Sequence, residues 1–231
     1  MSTADSEATR VEIVRVCTDA AGRFGNTLGI VPSNVLGERD PATMAALTGL
    51  HATAVLDEPA SGRVRMRIHT PALEVGFAGY PVLGVAWWLA DQGHPVKIID
   101  VPAGPVEVQI LEDGLVWIRS RAEWAPEFSF EEFADPELFT TVDPRQFTGG
   151  QHYIWSWTDE TRGAMRARMF APDMGIAEDQ ATGSAAIGLT AKLRRGLIIT
   201  QGTGSQLFTE WDSDGWVRLG GRVAAEKPMV I

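Results

Sequence analysis

Two stretches of this sequence combine glycine, hydroxyl residues and a following apolar run in a pattern that can hold an anion. One is Phe77-Ala78-Gly79-Tyr80-Pro81-Val82-Leu83-Gly84, continuing through Leu89 and closing at Gly93. The other is Ala181-Thr182-Gly183-Ser184-Ala185-Ala186-Ile187-Gly188, continuing through Leu193 and closing at Gly196. In each, a second Gly follows the first by five residues and a Leu follows it by ten. Each is preceded by a strand-like run ending in proline, Val64 to Pro71 and Met165 to Pro172. A glycine-led helix start leaves backbone N–H groups unpaired and carries the positive end of the helix dipole, which suits a carboxylate. Two such starts predict two related halves with one small anionic metabolite held in the cleft between them.

The elements that must position these starts are legible in outline. Val11 to Val16 alternates as a strand, and Phe24-Gly25-Asn26 reads as a tight loop entering a second strand. Asp40-Pro41 caps a helix over residues 41–47. Ala52 to Leu56 and Arg63 to His69 read as strands, and Pro81 to Gln92 as a helix stopped by Gly93. Val96 to Val101, Val106 to Leu111 and Leu115 to Ser120 follow as strands, the last two joined by a turn at Glu112-Asp113-Gly114. Residues 122–150 are acidic and rich in Phe and Pro, which predicts a linker with short helices over 128–133 and 136–140. Beyond them come strands over 153–158 and 163–170, a helix over 181–195, a hairpin around Asp212-Ser213-Asp214-Gly215 and a terminal strand over 227–231. The expectation is a β-rich α+β protein with one long helix per half.

Composition narrows the function. The 231 residues carry a net charge of −10, with no basic run longer than Arg194-Arg195, which argues against nucleic acid as a partner. A lone cysteine, Cys17, excludes an internal disulfide and a Cys-rich zinc site. The four histidines show no metal-ligand spacing. There is no apolar run long enough to cross a membrane, and the polar residues 1–10 do not read as a signal peptide. These features predict a soluble cytoplasmic protein without a metal.

The motifs are similar to those of the phenazine-biosynthesis PhzF-like isomerase family, within the diaminopimelate-epimerase-like fold. Phe24-Gly25-Asn26 resembles the family's N-terminal Gly-Asn turn. Ile68-His69-Thr70-Pro71, Glu74 and Phe77-Ala78-Gly79 resemble its "TP…E…FAGHP" block. Glu178-Asp179-Gln180-Ala181-Thr182-Gly183-Ser184-Ala185-Ala186 resembles its "ED-x-ATGSAA" signature nearly letter for letter, and Gln201-Gly202 and Gly220-Gly221 also fit. The resemblance implies two pseudo-symmetric domains, each a curved sheet wrapped around a central helix, here divided as residues 1–118 and 119–231, with the last strand returning to the first half. It also implies an active site between the halves, no cofactor, a proton shift on a small carboxylate-bearing metabolite, and a homodimer. The chain is shorter than typical members, and the shortening is expected around residues 120–165.

Two positions depart from the family pattern. Where the family carries its acid/base glutamate this chain reads Leu50-His51-Ala52-Thr53, with Ala52 at the glutamate's place, and the histidine of "FAGHP" is Tyr80. Alanine cannot move a proton. The expected catalytic set is therefore Asp179 as base, with Tyr80 or His51 as acid or relay. Substrate contacts are expected from Asn26, Gly79, Thr182, Gly183, Ser184 and Glu74, with Glu74 or Asp57 open as substitutes for the missing carboxylate. The implied reaction is a tautomerisation of an unsaturated or amino carboxylic acid in specialised biosynthesis, a pyrroline-type diene acid being one suitable case. Two other readings stay open: a catalytically silent relative that binds a small acid or a partner protein, and hydrolase or lyase chemistry. Ser184 lacks the G-x-S-x-G elbow of a nucleophile and reads as a donor to a carboxylate. A two-cysteine racemase is excluded, since Ala78 and Thr182 hold the positions of the epimerases' cysteines.

Overall fold

A computed structural model describes residues 8–37 and 39–231. In chain order the elements are β1 (Arg10–Thr18), β2 (Asn26–Pro32), α1 (Ser33–Leu36), α2 (Pro41–Thr48), β3 (Ala52–Leu56), β4 (Arg63–His69), β5 (Glu74–Val75) and α3 (Gly79–Asp91). Then come β6 (Ile98–Val101), β7 (Gly104–Ile110), β8 (Val116–Arg121), β9 (Ser129–Glu132), α4 (Pro136–Thr141), β10 (His152–Asp159) and β11 (Ala164–Ala171). The last are β12 (Ile176–Asp179), α5 (Gly183–Leu193), β13 (Leu197–Gln201), β14 (Ser205–Trp211), β15 (Trp216–Ala225) and β16 (Met229–Val230).

The repeat seen in the two glycine-led starts extends through the whole topology. In the first half, β2 and β3 are parallel neighbours joined through helices, β3 and β4 are antiparallel, and β4 and β6 are parallel across α3. The second half repeats each step: β9 and β10 are parallel, β10 and β11 antiparallel, and β11 and β13 parallel across α5. A short strand also precedes each central helix, β5 on β4 and β12 on β11. Antiparallel hairpins close both copies, β6-β7-β8 and β13-β14-β15. The fold is thus α+β, two pseudo-symmetric units each wrapping a central helix.

The two sheets share β15. It pairs with β14 and β8 along Trp216–Gly221 and with β1 along its last residues, so the pairings β1-β2-β3-β4-β6-β7-β8-β15 form a closed ring. Helix α3 lies against β1, β2, β3, β8 and β15 of that ring, and its buried residues run almost continuously from Gly79 to Leu89. A helix apolar on all sides is one enclosed on all sides. Gly84 allows this enclosure, since a Cβ there would lie 2.7 Å from Leu28 and 2.8 Å from Val16. Helix α5 packs on β14 and β15. One apolar core runs through both halves, from Val14 and Leu28 through Leu83 to Ile187 and Leu207.

Residues 128–133 are not a helix but contain the edge strand β9. The Phe128-Ser129-Phe130-Glu131 order alternates with period two, and β10 supplies the backbone partners a six-residue helix lacks. Phe130 sits edge-on against Tyr153, ring centroids 6.1 Å apart. The helix expected from Ala181 starts at Gly183, because Asp179, Ala181 and Thr182 are held in an extended turn by side-chain bonds. Among the described residues no helix is long and apolar enough to cross a membrane.

Candidate active site

The starts of α3 and α5 meet head to head. A Cβ added to Gly79 would lie 3.3 Å from the Gly183 Cα, and one added to Gly183 would lie 3.2 Å from the Gly79 Cα. Both additions would also strike Leu219, at 2.6 and 2.8 Å, so glycine at both positions is what permits the contact. Pro81 removes one N–H from the first turn of α3. In α5, Gln201 Oε1 already accepts the Thr182 N–H at 3.0 Å, leaving the Gly183 and Ser184 N–H groups without an acceptor among the described residues. Two positive helix ends in contact repel, and an anion between them relieves that.

Asp179 ends β12 beside this junction and is only 7% exposed. Its Oδ1 accepts from Asn26 Nδ2 at 2.8 Å, and its Oδ2 from the Thr182 hydroxyl at 2.5 Å. Asn26 also donates to the Ala181 carbonyl at 2.9 Å, so one side chain of the first half is locked onto the second. The loop that presents Asn26 is built for close approach. Asp19 accepts from the Ala21 and Arg23 N–H groups, Phe24 and Gly25 are left-handed, and the Gly25 N–H donates to Ser205 Oγ at 2.9 Å. A Cβ on Gly25 would lie 2.2 Å from the Val16 carbonyl oxygen, so no other residue fits.

Behind Asp179 runs a chain of bonds with one direction. Tyr153 donates to Gln201 Oε1 at 3.2 Å, Gln201 Nε2 donates to Thr182 Oγ1 at 2.8 Å, and Thr182 donates to Asp179. Gln201 Nε2 also donates to the Asp179 carbonyl at 2.9 Å. Gln201 and Tyr153 are fully buried.

Tyr80, the second residue of α3, is also at the junction and 9% exposed, with no hydrogen-bond partner for its hydroxyl. Burial pushes its pKa up, and the nearby Asp179 and Cys17 push it further. Tyr153 is raised by the same causes in the same order. Cys17 is buried, left-handed at φ 64 and set in the bulge where β1 shifts register on β15. Burial, then Asp179, raises its pKa, so it is a neutral thiol. The Asp179 charge thus adds to burial in raising the pKa of the chain's two tyrosines and its one cysteine.

Of the residues expected at the site, the structure brings together Asn26, Gly79, Tyr80, Asp179, Thr182, Gly183 and Ser184. It does not bring in His51 or Glu74. Ala52 faces the core beside Leu28, so the adjacent His51 turns to solvent, where it has no hydrogen-bond partner among the described residues. Glu74 grips Arg67 through two bonds, at 2.9 and 2.6 Å. The second half repeats this clamp, Arg168 on Glu178 at 2.9 and 2.8 Å, so the pair belongs to the repeat and not to the site. Asp57 is exposed and offers no buried replacement for the missing carboxylate. Sequence reasoning fitted Gln201-Gly202 to the family pattern but gave Gln201 no role, and it gave Tyr153 none.

A family model of phenazine biosynthesis-like (PhzC-PhzF) proteins matches residues 14–139 and 147–218, most of the chain. The chain belongs to this family. A trans-2,3-dihydro-3-hydroxyanthranilate isomerase of Pseudomonas aeruginosa is 27% identical over 196 residues, covering 69% of this chain and 70% of that protein. A crystal structure of a Bacillus anthracis PhzF-family protein superposes with a TM-score of 0.76 at 17% identity, covering 97% of this chain and 99% of the other. A hydroxyproline epimerase from Agrobacterium vitis, solved with bound trans-4-hydroxy-L-proline, shares the fold at a TM-score of 0.64 and 12% identity, covering 98% of this chain and 93% of the other. PhzF-like relatives of this chain therefore include isomerases, and its fold is shared with epimerases of small acids.

Proposed function

We propose that this family member is a cofactor-independent isomerase that moves a proton within a small unsaturated or amino carboxylic acid. The observation that carries the reading is Asp179: a buried carboxylate, gripped by Asn26 and Thr182 from two sides, at the meeting point of two helix starts. The substrate's carboxylate is received by the free N–H groups of α3 and α5, with Ser184 adding its hydroxyl. Asp179 takes a proton from the carbon next to the activating group, and the helix ends stabilise the anion that forms. The unpaired Tyr80 hydroxyl serves as the acid or as a donor to the substrate. A phenol whose pKa is raised keeps its proton at neutral pH and is a weak acid, which suits a hydrogen bond to the developing anion better than full proton transfer. The Pseudomonas aeruginosa relative, an isomerase of a dihydrohydroxyanthranilate, supports an unsaturated amino acid as the substrate class. Acids with an acidic C–H, pyrroline-type dienes included, ask least of a site that lacks the second carboxylate. We place this activity in specialised natural-product biosynthesis, carried out by a cytoplasmic homodimer.

Ala52 favours a second reading. With a methyl group where the family resemblance places glutamate, the same pocket serves a protein that binds a small acid, or a partner protein, without turning anything over. Incubation with trans-2,3-dihydro-3-hydroxyanthranilate and a panel of dienyl and pyrroline carboxylates, followed by proton NMR, separates the two. A double-bond shift in one compound, absent with Asp179→Asn, supports the isomerase. Thermal stabilisation by a compound that never changes supports the binding protein.

A further inference from the structure

The internal repeat supplies a control for the site that sequence comparison within one chain seldom offers. The paired registers align the two copies residue by residue. Ile68 sits opposite Val75 in the first half where Met169 sits opposite Asp179 in the second. Arg63 to Arg65 pair with Ile98 to Asp100, as Ala164 to Arg166 pair with Ile198 to Thr200. Continuing these registers, Val75 corresponds to Asp179, Ala78 to Thr182, Val101 to Gln201 and Ala54 to Tyr153. All four members of the chain Tyr153–Gln201–Thr182–Asp179 are apolar in the other copy. The same strand–turn–helix junction is therefore built once with Ala, Val, Ala and Val and once with four hydrogen-bonded polar side chains. The fold does not require the polar version.

We propose that Gln201 is a positioning residue for proton transfer, fixing the Thr182 hydroxyl as a donor so that Asp179 faces the substrate as an acceptor. This rests on the isomerase reading given above. Gln201 can only donate through Nε2, and that nitrogen is bound to Thr182 Oγ1 and the Asp179 carbonyl. Its Oε1 takes the Tyr153 hydroxyl and the Thr182 N–H, which fixes the amide's orientation. Thr182, accepting from Gln201, points its own proton at Asp179 Oδ2. The carboxylate then keeps its remaining lone pairs for the substrate. It takes a proton from carbon, the C–H electron pair stays on the substrate as a delocalised anion, the carboxyl proton exchanges with water, and Asp179 delivers a proton to another carbon. Tyr153 and Cys17, buried neighbours whose pKa values are raised, stay neutral while Asp179 cycles.

The test follows the Asp179 side-chain carboxyl by carbon-13 NMR as pH is varied, the signal assigned by its loss in Asp179→Asn. The variants are those the first half already tolerates, Thr182→Ala and Gln201→Val, with Thr182→Ser and Gln201→Met as milder partners should either fail to fold. Removing the Thr182 donor raises the carboxyl's midpoint by about one unit, a tenfold change in proton affinity, and Thr182→Ser restores it. Gln201→Val and Gln201→Met, which both lose the Nε2 donor without adding a charge, raise it by about half a unit although Thr182 is intact. In turnover of trans-2,3-dihydro-3-hydroxyanthranilate these variants lower kcat with KM unchanged. An unmoved midpoint in folded Gln201→Val and Gln201→Met overturns the proposal and leaves Gln201 as core packing. A midpoint that moves in a protein that turns nothing over supports the positioning role while the isomerase reading fails.

Discussion

Replacing Gly79 by alanine tests the head-to-head packing of α3 and α5. The added Cβ would lie 2.6 Å from Leu219 Cδ2 and 3.3 Å from the Gly183 Cα. Leu219 is fully buried, so its side chain has no solvent-facing rotamer to escape into. Overpacking of this kind costs about 1–3 kcal/mol. Alanine's better helix propensity returns at most about 1 kcal/mol, and less in a first turn. The net expectation is a loss of about 1–2 kcal/mol, or roughly 2–8 °C in Tm for a chain of this size. Urea unfolding of four proteins closes a double-mutant cycle: wild type, Gly79→Ala, Leu219→Val and the double variant. Valine lacks the δ carbons that clash, so Gly79→Ala in that background costs almost nothing and the coupling is about 1–2 kcal/mol. If the two changes are additive, the clash with Leu219 is not what holds Gly79, and the head-to-head packing of α3 and α5 is wrongly described.

Three further outcomes follow from the buried polar groups. Tyr80→Phe removes a buried hydroxyl that has no partner, so it should stabilise the fold by about 1 kcal/mol while slowing turnover; a stabilised variant with full activity makes Tyr80 a wall and not an acid. Both tyrosines have raised pKa values, so absorbance at 295 nm should show no phenolate as pH passes the ordinary value of about 10, and stability should fall as pH climbs above it because only the unfolded chain ionises; a normal titration in the folded protein contradicts their burial. His69 is buried with both ring nitrogens unpaired, and burial lowers its pKa, so stability should decline as pH drops below about 6.5, where the unfolded chain binds the proton first; His69→Phe should flatten that decline in urea unfolding across pH 5–7, and an unchanged slope assigns it to other groups.

The glycine-led starts were legible because backbone demands that only glycine meets leave a visible spacing. The acidic segment 122–150 was harder. Its strand β9 draws its stability from β10, more than twenty residues on, and a parallel partner leaves no local turn signal. His51 and Glu74 lie close in sequence to site motifs, yet the alternation of strand faces and the Arg67 clamp take both side chains elsewhere. The second copy's turn between Pro172 and Gly183 is longer than its counterpart between Pro71 and Gly79. The extra residues lie before Asp179, so Val75 and Asp179 both stand four residues ahead of the paired glycines; what the sequence hides is the correspondence of Val101 with Gln201 and Ala54 with Tyr153, which only strand pairing aligns.

The central claim is that Asp179 exchanges a proton with carbon. The direct measurement is deuterium incorporation by NMR in D₂O, with trans-2,3-dihydro-3-hydroxyanthranilate and pyrroline-type diene acids incubated with wild type and with Asp179→Asn. The account predicts that one acid gains deuterium at carbon with the wild type and none with the variant, both proteins being equally folded. Equal incorporation by the two would remove Asp179 from the chemistry, and no incorporation into any acid that binds would contradict the isomerase.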